Sequence, residues 1–366
     1  MHLIIDAHED LAYNTINFGR DYTRAAAETR QLELNTENPG RAGNSLLGWP
    51  DYQRGQVAMV FPTIFVASKE HKSDDWDQAF FEDFEDAHRQ YMRQIDLYHR
   101  WAEQSPDQFM LVGDRRALHT CLNRWEQTPA DYPAHTNPVG LVLLLEGIEG
   151  LRRLEDLESY WQRGLRIIGP VWGGGRFCGC AWKDPGGFTG EGRELLEAMA
   201  DMGFILDIAH MNEKSALEAL DIYEGTIIAS HANARALIKN APSERHFTDP
   251  VIRRLAKRDG VIGLLPFNNF LKVDWKIGDD RHEVPLALIA DHMDHICQIA
   301  GSAGHVGLGT DFDGGFGWPA VPEEIDTIAD LQKLENILSE RGYSAEQVAA
   351  FFAGNWLRIL EKALPA

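Results

Sequence analysis

The feature that most constrains the fold of this chain is the regular alternation of short apolar runs with longer amphipathic stretches. Short apolar runs rich in β-branched and aromatic side chains are typical of buried strands. Stretches in which apolar residues recur three or four positions apart are typical of helices that pack one face on a sheet. Repeated strand–helix units predict a parallel sheet, so the pattern favours an α/β fold.

Eight strands are predicted along the chain: Leu3–Ala7, Gln56–Phe65, Gly140–Leu145, Leu165–Gly169, Phe204–Ile208, Thr226–Ser230, Val261–Leu264 and His305–Gly309. The run Phe109–Val112 predicts a short additional strand. Helices are predicted between them at Trp76–Gln104, Asp156–Gln162, Glu191–Met202, Glu213–Ile222, Pro250–Asp259 and Pro285–Ala300. Eight parallel strands with intervening helices close into a (β/α)8, TIM-like barrel.

The remaining segments predict the loops and helices that lie outside the eight strands of the barrel. Residues 19–55 contain Gly, Pro and Asn breaks and predict a long loop over one end of the barrel. Residues 172–189 and 267–283 each follow a predicted strand, and loops that follow strands lie on the catalytic face. The C-terminal stretch Ile325–Leu364 predicts helices, with Ser344 as an N-cap. With neither an internal repeat nor a low-complexity linker, residues 1–366 are expected to form a single barrel domain.

Composition narrows the partners of the protein. The chain has a formal net charge of -21, which argues against nucleic acid or an anionic membrane as the main partner. No apolar run is long enough to span a bilayer, and the first residues lack the basic and apolar regions of a secretory signal. Four scattered cysteines are too few for a disulfide framework, so we expect a cytoplasmic protein. Cys178 and Cys180 could form half of a soft-metal site, but without a second pair an ordinary loop is favoured.

Side chains that bind metals follow five of the predicted strands: His8 and Asp10, Glu146, Asp207 and His210, His231, and Asp311 with Asp313. In a closed barrel these strand ends meet around one opening. Three imidazoles and several carboxylates suit two borderline divalent ions such as Zn²⁺ that share a bridging carboxylate, which is the arrangement of metal-assisted hydrolysis. The alternative is that each histidine is an ordinary hydrogen-bonded residue and that Asp10 caps the following helix.

These residues stand in motifs that resemble the membrane (renal) dipeptidase family of the amidohydrolase superfamily. The similarity runs in order through nearly the whole chain, and its most specific segment is Gly309-Thr310-Asp311-Phe312-Asp313-Gly314. The other matching segments are Asp6-Ala7-His8-Glu9-Asp10, Glu146-Gly147, Leu206-Asp207-Ile208-Ala209-His210, Ser230-His231-Ala232-Asn233-Ala234-Arg235, Arg245-His246-Phe247-Thr248-Asp249 and Gly354-Asn355-Trp356-Leu357-Arg358.

The resemblance implies a hydrolase with two Zn²⁺ ions on a distorted (β/α)8 barrel, in which a hydroxide bridging the metals attacks the amide bond of a dipeptide. In that scheme His8 and Asp10 bind one metal, His210 and His231 bind the other, and Glu146 bridges them. Arg245 would hold the terminal carboxylate of the substrate, and Asp311 would contact its amino group and exchange the proton. Dimerisation is common in this family, so the resemblance is also compatible with a homodimer.

Two positions leave alternatives open. Glu149 could replace Glu146 as the bridging acid, although Glu146 follows the apolar strand directly. Trp172 stands where the well-known dipeptidases place a histidine that contacts the substrate near the developing oxyanion; tryptophan can donate one N–H but carries no charge. This substrate-binding position leaves open a related amidohydrolase acting on N-acyl amino acids or lactones. An alternative of another class is a non-catalytic, metal-containing binding protein.

Overall fold

A computed structural model describes residues 1–127, 137–182, 184–238, 240–241 and 243–366. Its strands, in chain order, are β1 Ile4–Glu9, β2 Val57–Phe65, β3 Ala67–Ser68, β4 Phe80–Phe81, β5 Phe109–Leu111, β6 Val139–Leu141, β7 Leu143–Glu146, β8 Leu165–Gly169, β9 Ile205–Asp207, β10 Ile227–Ile228, β11 Ile262–Leu264 and β12 Val306–Leu308. Eight of them form a parallel ring in the order β1, β2, β7, β8, β9, β10, β11, β12. Between β10 and β11 the ring closes through the amide of Ala229 to the carbonyl of Val261 and the amide of Gly263 to the carbonyl of Ala229, each 2.9 Å.

Helices surround the ring and cover its loops. They are α1 Leu11–Phe18, α2 Ala26–Glu33, α3 Asn38–Ala42, α4 Trp49–Gly55, α5 Phe84–Gln104, α6 Arg115–Gln127, α7 Asp156–Gln162, α8 Gly190–Met202, α9 Glu213–Ile222, α10 Asp249–Lys257, α11 Asn268–Leu271, α12 Ala287–Ala300, α13 Leu334–Glu340, α14 Ala345–Ala349 and α15 Asn355–Ala363. A π-helical turn, Ala350–Gly354, joins α14 to α15. Across the described ranges, no helix combines the length and the apolar character needed to cross a bilayer.

The predicted (β/α)8 barrel is confirmed, and seven of its eight predicted strands occur with ends that coincide with the prediction or differ by one or two residues. The strand predicted at Gly140–Leu145 is wrong in one respect, because the chain forms two strands there. β6 pairs with β5 and the first half of β2, whereas β7 is the strand of the ring and pairs with the second half of β2. Both halves of the apolar run are fully buried, so hydrophobicity alone could not show where one strand ends.

The loop predicted over residues 19–55 is also wrong, because this segment contains helices α2, α3 and α4. Pro39 and Pro50 lie in the first turns of α3 and α4, where a backbone amide would have no partner within the helix, so the missing N–H of proline costs nothing. Gly43 ends α3 with a φ of 71°. The prolines and glycines that look like loop breakers are therefore helix starts and ends. Similarly, the helix predicted from Trp76 begins only at Phe84, because Asp83 caps it by accepting a 2.7 Å bond from the amide of Asp86.

Buried hydrogen bonds hold the ends of two ring strands in place. Helix α5 buries a stripe that includes Tyr91, Ile95 and Tyr98, and the Tyr98 hydroxyl donates to the carbonyl of Thr63 at 2.6 Å. On the other side of β1, the buried Asp6 carboxylate accepts the amide of Thr310 at 2.7 Å and its hydroxyl at 2.5 Å. The first bond ties the end of β2 to α5, and the other two tie the segment after β12 to β1. The C-terminal helices and the Ser344 cap occur as predicted.

Candidate metal centre and substrate cavity

The imidazole and carboxylate side chains predicted at the strand ends converge at the carboxyl end of the barrel. Nε2 of His8 lies 3.6 Å from Oε2 of Glu146, 4.0 Å from Oδ2 of Asp10 and 3.8 Å from Oδ1 of Asp311. The other carboxylate oxygen of Glu146, Oε1, lies 2.8 Å from Nε2 of His210 and 3.5 Å from Nε2 of His231. One carboxylate thus faces two groups of ligand atoms, as a bridging residue would.

Within these groups the ligand atoms lie close enough to share a cation. Within each of three sets the candidate ligand atoms lie within 4.8 Å of one another; the sets are His8, Asp10 and Glu146; Glu146, His210 and His231; and His8, His231 and Asp311. Nε2 of the buried His8 has no hydrogen-bond partner among the described residues. Such a buried nitrogen is costly unless something accepts its lone pair or proton. A divalent ion between the groups would satisfy it.

The electrostatics of the cluster also fit a cation. Although burial lowers the pKa of His8, the surrounding charges of Glu146, Asp10 and Asp311 raise it to about 10. Three carboxylates around one imidazole therefore demand positive charge at this point, which a metal can supply instead of a proton. Burial, together with the charge of Arg245, lowers the pKa of His210 to about 4, and burial lowers the pKa of His231 well below its usual range. Both imidazoles are therefore neutral, the form that binds metals.

A hydrogen-bond chain orients His231. The Ser230 hydroxyl donates to Asp207 at 2.5 Å, and it lies 2.7 Å from Nδ1 of His231. Because the hydroxyl proton is used by Asp207, Nδ1 of His231 must be the donor in the second bond, which leaves the lone pair on Nε2 facing Glu146 and His210. Asp207 thus lies behind the cluster and orients one of its histidines, a common arrangement for metal ligands.

The side chain of Asp10 bonds to β2 and not to the helix that follows it. Its side chain does not cap helix α1. Instead, Oδ1 accepts a 2.5 Å hydrogen bond from the hydroxyl of Thr63 at the end of β2, which leaves Oδ2 facing His8. The capping alternative is therefore wrong, and the carboxylate is oriented toward the cluster.

Glu149 lies outside the cluster. Its Oε1 accepts backbone hydrogen bonds from the amides of Trp172, Gly173 and Gly174 at 2.7, 3.2 and 3.1 Å. Of the two acids weighed from the sequence, only Glu146 is near the histidines. Glu149 instead fixes the start of the loop that follows β8.

Arg245 lies beside the cluster with 1 % of its surface exposed. Its Nη1 donates to the carbonyl of His231 at 2.9 Å, while Nε and Nη2 are buried without partners among the described residues. A buried guanidinium with two unpaired donors is costly unless a ligand accepts them. The side chain also borders the main cavity. Arg245 therefore offers a ready contact for an anionic group.

Asp311 and Asp313 occupy a strained turn after β12. Both have positive φ values, 57° and 62°, which non-glycine residues rarely adopt. The amide of Asp311 donates to the carbonyl of His8 at 3.0 Å, so the turn is anchored to β1. Burial raises the pKa of Asp311 well above its usual range, and the positive charge of His8 opposes this. The strained turn therefore places the Asp311 carboxylate against the cluster.

Asp313 holds this turn from behind. Its buried carboxylate accepts hydrogen bonds from the hydroxyls of Tyr22 and Ser45 at 2.9 and 2.8 Å and from the amide of Leu46 at 2.8 Å. Arg20 lies 3.1 Å from the same group. Residues from the 19–55 segment thus pack their polar groups on one buried carboxylate, and they fix the turn that carries Asp311.

We expect Asp313→Ala to lower the free energy of unfolding by about 3–5 kcal/mol, because the buried partners are left unpaired. Urea-induced unfolding in the presence of a chelator measures this without a contribution from metal. The control is Asp326→Ala, which removes an ion pair between Arg30 and a carboxylate that is 67 % exposed and should cost about 1 kcal/mol or less. Equal destabilisation of the two variants would contradict the role assigned to Asp313.

A cavity of about 200 Å³ opens above the cluster. Its floor contains Asp10, Glu146, His210 and Asp311, and Arg245 lies at one side. Trp172, predicted to contact substrate, borders the cavity with its ring centroid 6.3 Å from that of His210. Most of the remaining lining is aromatic, and those rings are Tyr13, Phe65, Trp182, Phe267, Phe270 and Phe316.

Sequence reasoning missed the residues that orient the cluster and the rings that line the cavity. Thr63 lies inside an apolar strand, and only its position at the end of β2 next to Asp10 could have indicated a role. Phe270 lies in α11 and Phe267 directly before it, in the 267–283 segment that the sequence places on the catalytic face, but the pattern does not single out these two rings. Nothing in the local sequence indicates that Ser45 and Tyr22 meet Asp313.

A parallel barrel gathers these histidines and carboxylates at the carboxyl ends of its strands, an arrangement that can hold divalent metal ions. The sequence profile of the membrane dipeptidase family, peptidase family M19, matches residues 1–365, and the chain belongs to that family. The resemblance seen in the sequence motifs is thereby confirmed.

Individual relatives agree with this assignment. The chain is 26 % identical over 331 residues to the dipeptidase tcpJ of Claviceps purpurea, a match that covers 87 % of this chain and 70 % of the relative. A metallopeptidase from Rhodobacter sphaeroides, solved with a phosphinate mimic of the dipeptide L-Ala-D-Ala, has the same fold with a TM-score of 0.77, 22 % identity and 99 % coverage of both chains. The probable dipeptidase PvdM from Pseudomonas aeruginosa superposes with a TM-score of 0.75 at 17 % identity, covering 99 % of this chain and 96 % of that one.

Proposed function

We propose that this protein is a zinc-dependent hydrolase that cleaves the amide bond of dipeptides or similar small substrates. One observation carries the proposal: Glu146 faces two groups of ligand atoms at the floor of a cavity bordered by Arg245, whose Nε and Nη2 have no partner among the described residues. Two metal ions beside a guanidinium that can bind an anion suit a substrate with a free carboxylate next to its scissile bond. Imidazole and carboxylate ligands favour Zn²⁺.

In this proposal His8 and Asp10 hold one ion, His210 and His231 hold the other, and Glu146 lies between them. When bound, the two ions would activate a water molecule for attack and polarise the substrate carbonyl. The chain itself supplies the orientation of the ligands. Thr63 holds Asp10, and the Ser230–Asp207 pair holds His231 with its Nε2 lone pair inward.

Arg245 and Asp311 handle the substrate in this scheme. Nε and Nη2 of Arg245 would donate two parallel hydrogen bonds to the terminal carboxylate, which fixes the scissile bond above the cluster. Oδ1 of Asp311, 3.8 Å from Nε2 of His8, would contact the substrate amino group, accept the proton of the attacking water and deliver it to the leaving amine. Both roles follow from position: one side chain lies at the side of the cavity and the other on its floor.

The second candidate function is hydrolysis of N-acyl amino acids or lactones. It is favoured by Trp172, because an uncharged ring borders the cavity where a group near the oxyanion is expected. Comparing metal-loaded protein on L-L and L-D dipeptides, N-acyl amino acids and lactones separates the candidates. We expect the highest kcat/KM on dipeptides. A protein inert to every dipeptide but active on one of the other classes would contradict the dipeptidase proposal.

Arg245→Met should lower kcat/KM for dipeptides by about 10- to 100-fold, because a charge-assisted contact to the substrate carboxylate is lost. The same variant should lose much less on dipeptides whose C-terminal carboxylate is amidated, since these present no anion to Arg245. Steady-state kinetics on matched free and amidated dipeptides measure the difference. Equal losses on both substrates would show that Arg245 does not recognise the carboxylate.

A further inference from the structure

The cavity above the candidate metal centre has an aromatic wall that the proposed mechanism does not use. We define this wall as Tyr13, Phe65 and Trp172. The Phe65 and Trp172 rings meet edge to face with centroids 4.9 Å apart, and the Tyr13 ring lies 5.6 Å from Phe65. These rings are too close to one another to leave space between them, so their free surfaces face the cavity.

Phe65, at one end of the aromatic wall, lies across the barrel from Arg245, whereas Trp172 follows β8, two strands from β10 in the ring. Phe65 ends β2, and Arg245 is bonded to the carbonyl of His231, which follows β10. In the ring of eight strands, β2 and β10 are four strands apart in either direction. A substrate whose carboxylate is held by Arg245 therefore points its opposite end at the aromatic wall.

The wall offers no charged partner to a substrate side chain. Among the residues that line the cavity, the acids Asp10, Glu146 and Asp311 belong to the floor, and the buried Asp77 beside Tyr13 already accepts the amides of Ser73 and Ala79. Glu149 is turned away and accepts the amides of Trp172, Gly173 and Gly174. Among the described lining residues next to the wall, the polar ones are Ser73 and His71, and His71 Nδ1 is 2.8 Å from the Ser68 hydroxyl.

The backbone that carries Trp172 is anchored, and its indole packs against the Phe65 ring. The amide of Trp172 donates to Oε1 of Glu149 at 2.7 Å, which holds the backbone from which the indole extends. A ring held in this way loses little freedom when a ligand packs on it. Apolar surface that is rigid and uncharged favours binding of an apolar group.

Resting on the dipeptidase function proposed above, we propose that the substrates carry a large apolar side chain, aromatic in the best case, on their N-terminal residue, and that Trp172 is the residue that selects it. The carboxylate held by Arg245 belongs to the C-terminal residue, so the N-terminal side chain is the one that meets the aromatic wall. Acidic and basic N-terminal residues would be rejected there, because their charges would lose water without gaining a partner.

The test compares kcat/KM of metal-loaded enzyme for Phe-Ala, Leu-Ala, Ala-Ala, Asp-Ala and Lys-Ala, with Ala-Phe as the reversed pair. We expect Phe-Ala to exceed Ala-Ala by about 10- to 100-fold, as differences in apolar pocket contacts usually allow. Trp172→Ala should reduce this ratio about tenfold, mainly through KM, and Trp172→Phe should restore most of it. The matched control is Phe84→Ala, at an aromatic ring that is 44 % exposed and lies outside the cavity lining.

The outcomes separate this inference from the function on which it rests. Equal kcat/KM on Phe-Ala and Ala-Ala, or a ratio that Trp172→Ala leaves at its original value, would overturn the aromatic selection while the enzyme remains a dipeptidase. A preference for Ala-Phe over Phe-Ala would overturn it too, because it would assign the large side chain to the Arg245 end. Failure to hydrolyse any member of the series would instead contradict the proposed function, and the inference would fall with it.

Discussion

Glu146→Gln is expected to lower kcat for dipeptide hydrolysis at least about 1000-fold and to reduce the metal content of the protein. Oε1 of Glu146 lies 2.8 Å from Nε2 of His210, and Oε2 lies 3.6 Å from Nε2 of His8, so one carboxylate serves both groups of ligand atoms. An amide carries no charge and offers one good ligand atom instead of two. Losing a metal that contributes several kcal/mol to the transition state gives a loss of this size.

Elemental analysis and steady-state kinetics on the same preparation measure both effects. The control is Glu149→Gln, which makes the same chemical change three positions later at a carboxylate bound to loop amides. This control should keep the metal content of the unaltered protein. If Glu146→Gln keeps its metals and Glu149→Gln loses them, the assignment of the bridging residue is reversed.

Asp311→Asn is expected to lower kcat by about 100- to 10,000-fold while leaving both metals bound. The carboxylate lies at the floor of the cavity and is anchored through its amide to the carbonyl of His8. Asparagine keeps the size of the side chain but cannot accept and return a proton, and proton transfer by a positioned group contributes an effect of this magnitude. Kinetics combined with elemental analysis distinguish a proton carrier from a ligand.

Three results are informative for Asp311. A large loss of kcat with full metal content supports proton transfer. Loss of a metal would make Asp311 a ligand, since its carboxylate also lies within reach of His8 and His231. An unchanged kcat would contradict any catalytic role. The matched control is Asp326→Asn, a conservative change at an exposed carboxylate paired with Arg30.

The sequence predicts the barrel well because seven of the eight ring strands are separate apolar runs. The boundary between β6 and β7 could not be placed, since these two strands lie in one continuous buried run. The loop prediction for residues 19–55 is wrong because proline and glycine lie there at the starts and ends of short helices. Local patterns thus predict where strands exist, whereas packing decides where each element begins and ends.

The same division applies to the site. The histidines and carboxylates at the strand ends are brought together as the barrel prediction requires, because all parallel strands carry their ends to one face. The residues behind them depend on contacts between distant segments. Thr63 in β2 donates a hydrogen bond to Asp10, which follows the neighbouring β1. Tyr22 and Ser45 donate to Asp313, which is more than 260 residues away in the sequence. No local pattern encodes such pairs.

Titration of metal-free protein with Zn²⁺, followed by dipeptide hydrolysis at each step, tests the central claim most directly. Chelated protein should be inactive, and activity should rise with bound zinc and level off at about two ions per chain, as two ligand groups sharing Glu146 require. Dipeptide hydrolysis that persists after complete removal of metal would contradict the account. So would a fully zinc-loaded protein that hydrolyses no dipeptide.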